Sequence, residues 1–309
     1  MLRPGVRVAV ARATVASMAL GSGGLGSGGL GSGGLGSMGL GSMWAWDNPV
    51  SPDDDARGRG YGPAAPEPLV DFVVGHELAR VHLAAPWAAD EGPVGAWFAA
   101  AARALCDAHV AVDALGGDPG WLDEPALAAT WASAALRSAG AALDGAQLDV
   151  EPWTLPGWAV DPAAGARRWL AVLDAVREAL PANLTLGADT PWWLTAVAAP
   201  DERGSLLDAV LRRVDAVVVV AFSDHAEGTD GIVALARPAV EAARGAGARW
   251  TVGVETDTPE VAGGAQYTFA DEGAAVLERE AAVVAQAFGA AGCACVEHHR
   301  AWRRLLELD

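Results

Sequence analysis

The chain is predicted to be an α/β protein, a single (β/α)8 TIM barrel behind a low-complexity tail, and three observations predict it. Strand-like segments recur every ~30 to 40 residues with a helical segment between successive strands, the pattern of a parallel sheet. Eight such strands can be counted between Met43 and Asp309, in a span that suits a barrel of about 250 residues. The sixth, Ala216 to Phe222, is a continuous apolar run of the kind that parallel sheets bury on both faces.

Residues 1–42 are read as a tail and residues 43–309 as the barrel. Arg3, Arg7 and Arg12 precede a short apolar run that Arg12 cuts off from anything longer, unlike the uninterrupted core of a secretory signal. From Gly21 the pentapeptide Gly-Ser-Gly-Gly-Leu repeats three times and then degrades to Gly-Ser-Met-Gly-Leu, a composition expected of a flexible linker. Translation starting near Met38 or Met43 implies a cytoplasmic protein, and a tail acting as a degenerate signal implies export; the sequence leaves both open. No stretch reaches the ~18 apolar residues of a membrane-spanning helix.

The first strand is expected at Met43 to Trp46, followed by an acidic, glycine-rich loop around Asp53, Asp54 and Asp55. Helix Pro68 to Gly75 leads to strand Ala79 to Ala84, and helix Gly95 to Asp107 to strand His109 to Ala114. Helix Glu124 to Ser138 precedes the fourth strand, Asp144-Gly-Ala-Gln-Leu-Asp-Val-Glu-Pro-Trp153. There Gln147, Asp149 and Glu151 share one face and Leu148 and Val150 the other. Pro152 stops the strand and leaves Glu151 at its C-terminal tip. Helix Ala163 to Leu180 carries Trp169, Val172, Val176 and Leu180 at helical spacing, and strand five is Asn183 to Asp189. Helix Leu206 to Val214 precedes strand six; helix Gly231 to Ala246 leads to strand seven, Arg249 to Glu255. Helix Glu272 to Ala290, strand Gly292 to His298 and helix Arg300 to Leu308 close the chain.

Acidic residues outnumber basic ones by 39 to 21, a net charge of -18 that disfavours nucleic acid and anionic membrane as partners. All 21 basic residues are arginine, so Schiff-base, pyridoxal-phosphate and P-loop chemistries, each dependent on a lysine amine, are excluded. Three cysteines imply no disulfide framework, and Cys293 and Cys295 are read as small core residues. A mean hydropathy of +0.22 supports a substantial core.

Active sites of such barrels lie at the C-terminal strand ends. Those ends carry Trp46, Trp87, Asp113 with Trp121, Asp149 and Glu151 with Trp153, and Asp189 with Trp192 and Trp193. The later strands add Phe222 and Asp224, Glu255, and His299 with Trp302. Carboxylates paired with indoles suit a carbohydrate, whose apolar ring faces stack while its hydroxyls hydrogen-bond. Trp97, Trp131, Trp169 and Trp250 stand within helices or at a strand start and are expected in the core. No cofactor or metal is expected: strand one reads Trp44-Ala-Trp46, without the paired histidines of metal-dependent hydrolase barrels. Adjacent His298 and His299 point to opposite strand faces, so they cannot both reach one inward ion.

The fourth strand resembles the Asp-x-x-Asp-x-Asp-x-Glu motif of family 18 chitinases: Asp144, Asp149 and Glu151 match, and Gln147 stands at the second Asp. The resemblance implies Glu151 as general acid, with Asp149 orienting the substrate's N-acetyl group. That family's tyrosine at the end of strand six is Phe222 here. Val150-Glu-Pro152 also resembles the Asn-Glu-Pro of glycosidases with an acid/base on strand four and a nucleophile on strand seven, which implies Glu255 as nucleophile. Leu148 to Pro152, Val252 to Thr256 and His298 to Trp302 resemble motifs of a bacterial family of glycosidase-like barrels. These resemblances imply glycosidic-bond cleavage; a carbohydrate-binding barrel that has lost catalysis is the alternative, and a metal-dependent hydrolase the weaker one. The oligomeric state is not legible.

Overall fold

The computed structural model describes residues 39–46, 66–289, 294–296, 302–303 and 305–306, with the backbone alone for 294–296. Eight parallel strands, each hydrogen-bonded to its sequence neighbours and the last to the first, close into a barrel. In chain order the elements begin with β1 Leu40–Ala45, α1 Glu67–Gly75, β2 Arg80–Ala84, α2 Gly92–Asp107, β3 Ala111–Gly116 and α3 Pro125–Ala139. They continue with β4 Gly145–Leu148, α4 Pro156–Val160, α5 Pro162–Ala179, β5 Thr185–Pro191, α6 Leu206–Leu211 and β6 Ala216–Val220. The last are α7 Ile232–Ala246, β7 Arg249–Val254, α8 Pro259–Ala262, α9 Ala274–Phe288 and β8 Ala294–Val296.

Local chemistry marks the helix starts. Proline opens α1, α2, α3 and α5, where the missing N–H forfeits no intrahelical bond. Asp161 caps α5 by accepting from the Ala164 N–H, and Ser205 and Asp208 form a reciprocal capping box on α6.

The alternation of each strand divides two cores. Outward residues such as Val81, Leu83, Val112, Val217, Val219, Val252 and Val254 meet the helices, where Trp97, Trp131, Trp169 and Trp250 are buried as their placement predicts. Inward residues form a smaller cluster of Trp44, Leu115 and Val218, with Trp46 and Val220 packed on it. Burying one such side chain stabilises by about 1.5–3 kcal/mol, so the helix-facing layer carries most of the fold's stability.

Three sequence expectations shift. β1 starts at Leu40, not Met43, so Leu40, Gly41 and Ser42 at the end of the low-complexity stretch enter the barrel. Leu40 is in register with Ala294, Ser42 with Arg80, and Gly41 accepts from the Ala79 N–H at 2.9 Å. Backbone pairing on both edges holds this segment irrespective of its low-complexity side chains. β3 and β5 each start and end two residues later than expected, which lowers Asp113 and Asp189 along the barrel axis. The Asp53–Asp55 loop, the tail before Gly39, Cys293 and most of the closing helix lie outside the described residues.

Candidate active site

β4 delivers the central pair. Its last paired residue is Leu148, after which the Asp149 N–H donates to the Gly116 carbonyl at 2.9 Å and prolongs the contact with β3. Here Gly117 is required by close approach: a Cβ on it would lie 1.9 Å from the Asp149 carbonyl oxygen. Pro152 opens a short 3-10 turn through Thr154, leaving Glu151 at the rim between strand and turn.

β7 delivers the third carboxyl. Glu255 follows Val254 directly and is 2% exposed. Its Oε1 accepts from the N–H groups of Thr256 and Asp257, both at 2.7 Å, which fixes one oxygen against its own loop.

The three groups act on one another. Burial pushes the Asp149 carboxyl well above the usual carboxylate range, and the charges of Glu151 and Glu255 push it further. Glu151 is pushed up to about 7, chiefly by burial; the Trp153 indole, hydrogen-bonded to it, opposes the rise, and the Glu255 charge adds to it. Both residues keep a partly exposed surface, so they meet solvent at the mouth while protein surrounds their charge. A carboxylic acid that keeps its proton near neutrality is equipped to donate it.

Trp153 also centres an aromatic cluster. Its ring meets Trp169, Trp193 and Trp158 edge to face at 5.3, 5.7 and 6.3 Å between centroids. Trp169 is fully buried and anchors the group, whereas Trp153, Trp158 and Trp193 keep part of their surface open beside Glu151. Trp158 is the member that sequence reasoning missed; its signal was a second indole five residues past Trp153, after Pro156-Gly157.

Under the mouth, Asp189 is buried inside the barrel and accepts from Gln147 Nε2 at 2.6 Å and from Trp44 Nε1 at 3.1 Å. Asp113 lies deeper, bonded to Arg80 Nη1 at 2.6 Å, with His82 Nδ1 3.1 Å from the same oxygen. Burial pushes Asp113 up, but His82 and Arg80 outweigh it and hold the carboxyl below its ordinary value. Asp113, Arg80, His82 and Gln147 line a cavity of about 440 Å³ at the strand starts, the end opposite Glu151.

No protein-family model matches the chain, and no curated protein matches its sequence. Among solved structures it is similar to a GH18 chitinase from Pseudoalteromonas aurantia, at 12% identity over 87% of this chain and 98% of that one, TM-score 0.54. It is also similar to the spore cortex-lytic enzyme SleL of Bacillus cereus, at 11% identity over 89% of this chain and 75% of that one, TM-score 0.51. The fold is that of a chitinase-like (β/α)8 barrel.

Within this chitinase-like barrel the predicted site residues separate. Asp149, Glu151 and Glu255 come together at the mouth with Trp153 and Trp193. Trp46 and Trp192 are partly covered; Trp87 is 49% exposed on the loop after β2. Phe222 follows β6 half-buried, and Asp224 beyond it pairs with His225 at 2.5 Å. Two expected platforms are corrected. Trp121 is buried against Trp131 of α3, and Trp302 is buried against Phe72 and His76 at α1, so both indoles pack on helices. Asp113 is likewise corrected from rim to lower barrel, and Asp189 from rim to interior, by the two-residue shift of their strands. His299 lies outside the described residues.

Proposed function

We propose that this glycoside-hydrolase-like barrel cleaves a glycosidic bond, with Glu151 protonating the leaving oxygen. The observation that carries the reading is the Glu151 carboxyl, which holds its proton up to about pH 7 beside two further carboxyls at the barrel mouth. The partly open indoles of Trp153, Trp158 and Trp193 supply a surface for a sugar ring next to that proton. Asp149, adjacent to Glu151, would orient the substrate's N-acetyl group by accepting from its N–H, which leaves the acetyl oxygen free to act as the nucleophile. Glu255 is the alternative nucleophile. Its Oε1 accepts from two backbone N–H groups, which hold that carboxyl in a fixed orientation at the mouth.

The test is hydrolysis of a panel of chromogenic glycosides, N-acetylglucosaminides included, by the full chain and its Glu151→Gln and Glu255→Gln variants. Turnover lost in Glu151→Gln establishes the acid. Preference for N-acetyl sugars with Glu255→Gln still active supports substrate assistance, and loss in Glu255→Gln supports a glycosyl-enzyme. A second reading, a sugar-binding barrel without catalysis, is favoured by Phe222 and Gln147 at positions where the similar motif carries a tyrosine and an aspartate. Oligosaccharides that quench tryptophan fluorescence without any turnover would establish it.

A further inference from the structure

The lower barrel holds a cavity that the chemistry at the mouth does not use. Interior layers of such barrels are ordinarily filled by bulky branched side chains. Here Gln147, Gly187, Ala216 and Arg249 stand in register on β4, β5, β6 and β7. Only a glycine and an alanine separate the amide from the arginine, across three strand spacings or roughly 14 Å of barrel wall. The neighbouring row runs through Asp113, Gly145 and Thr185 and is again short of side-chain volume. The cavity of about 440 Å³ at the strand starts lies against both rows, a size that suits a small ligand.

Its polar lining is unevenly satisfied. Asp113 takes Arg80 Nη1 on Oδ2, whereas its Oδ1 is buried with no hydrogen-bond partner among the described residues. Arg80 and His82 hold that carboxyl below its ordinary value, so Oδ1 is a charged acceptor that lacks a donor. Arg80 spends one N–H group on the pair and keeps others for an acceptor nearby. Gln147 gives its Nε2 to Asp189 and turns its Oε1 over Gly187, where a Cβ would lie 1.9 Å away. Arg249 is exposed and has no ion-pair partner among the described residues. With histidine counted neutral, the two arginines and one aspartate of the lining sum to +1, in a chain of net charge -18. Hydroxyls suit the Asp113–Arg80 end, because each can donate to Oδ1 and accept from the guanidinium at once. A carboxylate suits Arg249, whose planar fork can take it through two N–H groups.

We propose that this cavity binds a small polyhydroxy carboxylate, of the size of a sugar acid, with its hydroxyls on Asp113, Arg80 and Gln147 and its carboxylate on Arg249. The site lies at the end of the barrel opposite Glu151 and requires nothing of the reaction there.

The experiment is isothermal titration calorimetry of the full chain with D-gluconate. Sorbitol, the same run of hydroxyls without the carboxylate, and acetate, the carboxylate without the hydroxyls, are titrated beside it. Gluconate is expected to bind at a single site, with sorbitol and acetate weaker by about tenfold or more. Arg249→Met removes the exposed charge and is expected to weaken gluconate by about tenfold or more. Ala216→Leu fills the gap in the row between Gln147 and Arg249 and is expected to abolish binding. If the added bulk unfolds that variant, Arg249→Met carries the test alone. Glu151→Gln is expected to leave gluconate binding unchanged. Absence of saturable binding up to about 10 mM gluconate overturns the proposal. So does equal affinity for sorbitol, or an affinity that Arg249→Met does not move. Binding lost in Glu151→Gln would place gluconate at the mouth and overturn it as well. None of these readouts depends on turnover, so the proposal stands or falls apart from glycoside cleavage.

Discussion

Replacing Glu151 with glutamine should make the protein more stable at alkaline pH while disabling it. The folded protein holds the Glu151 proton up to about pH 7, against an ordinary value of 4.5. Between those values the folded chain binds a proton that the unfolded chain has released, so stability falls as pH rises through that window. At 1.36 kcal/mol per unit, the full span costs roughly 3 kcal/mol of wild-type stability by pH 8. Glutamine keeps the shape and never ionises, so the variant escapes the fall. Its removal of a neighbouring charge also eases Asp149, which acts in the same direction. Urea unfolding of both proteins, followed by tryptophan fluorescence, should give similar free energies at pH 4.5 and a variant more stable by roughly 3 kcal/mol at pH 8. Glycoside turnover in the variant should drop ~100- to 10,000-fold, the range for loss of a general acid. A variant no more stable than wild type at pH 8 would mean that Glu151 is ionised and well partnered in the folded state, and the argument for a proton donor would end there.

Other perturbations test the supports of the site. Trp153→Phe removes the indole N–H that opposes the rise of Glu151, so the alkaline limb of the pH–rate profile should move up, and an unmoved or lowered limb would refute the bond's role. Gly117→Ala forces a Cβ against the Asp149 carbonyl; turnover should fall at least tenfold with ~1–3 kcal/mol lost from stability, as measured by kinetics and chemical denaturation. Arg80→Met leaves Asp113 charged and buried with one of its two partners gone, a loss of about 3–5 kcal/mol at neutral pH. Because the Asp113 value is depressed, its stabilisation is present above the ordinary carboxylate range and fades as pH falls, so wild type and Arg80→Met should converge toward pH 3 in melting experiments.

The sequence by itself determined the repeating architecture and placed Glu151 just beyond the end of the fourth strand. Helical and strand periodicities are local, and eight alternations admit few closures other than a barrel. Glu151 was legible because Pro152, directly after it, opens a turn just past the end of β4, a signal carried by the chain next to the site. Depth along the barrel was not legible. β3 and β5 run two residues past their expected ends, which keeps Asp113 and Asp189 on the inward face but lowers each by about 6–7 Å. Hydrogen-bond partners on neighbouring strands set those ends, and apolar patterning alone does not report them. Nor could spacing distinguish Trp153, open beside Glu151, from Trp121 and Trp302, which turn into the core. An indole following a strand has the same composition in either place, and only the path of its loop decides whether it meets solvent or a helix. The meeting of Asp149 with Glu255, more than a hundred residues apart in the chain, exists because the barrel closes, and so do the proton affinities that make the site a candidate for acid chemistry.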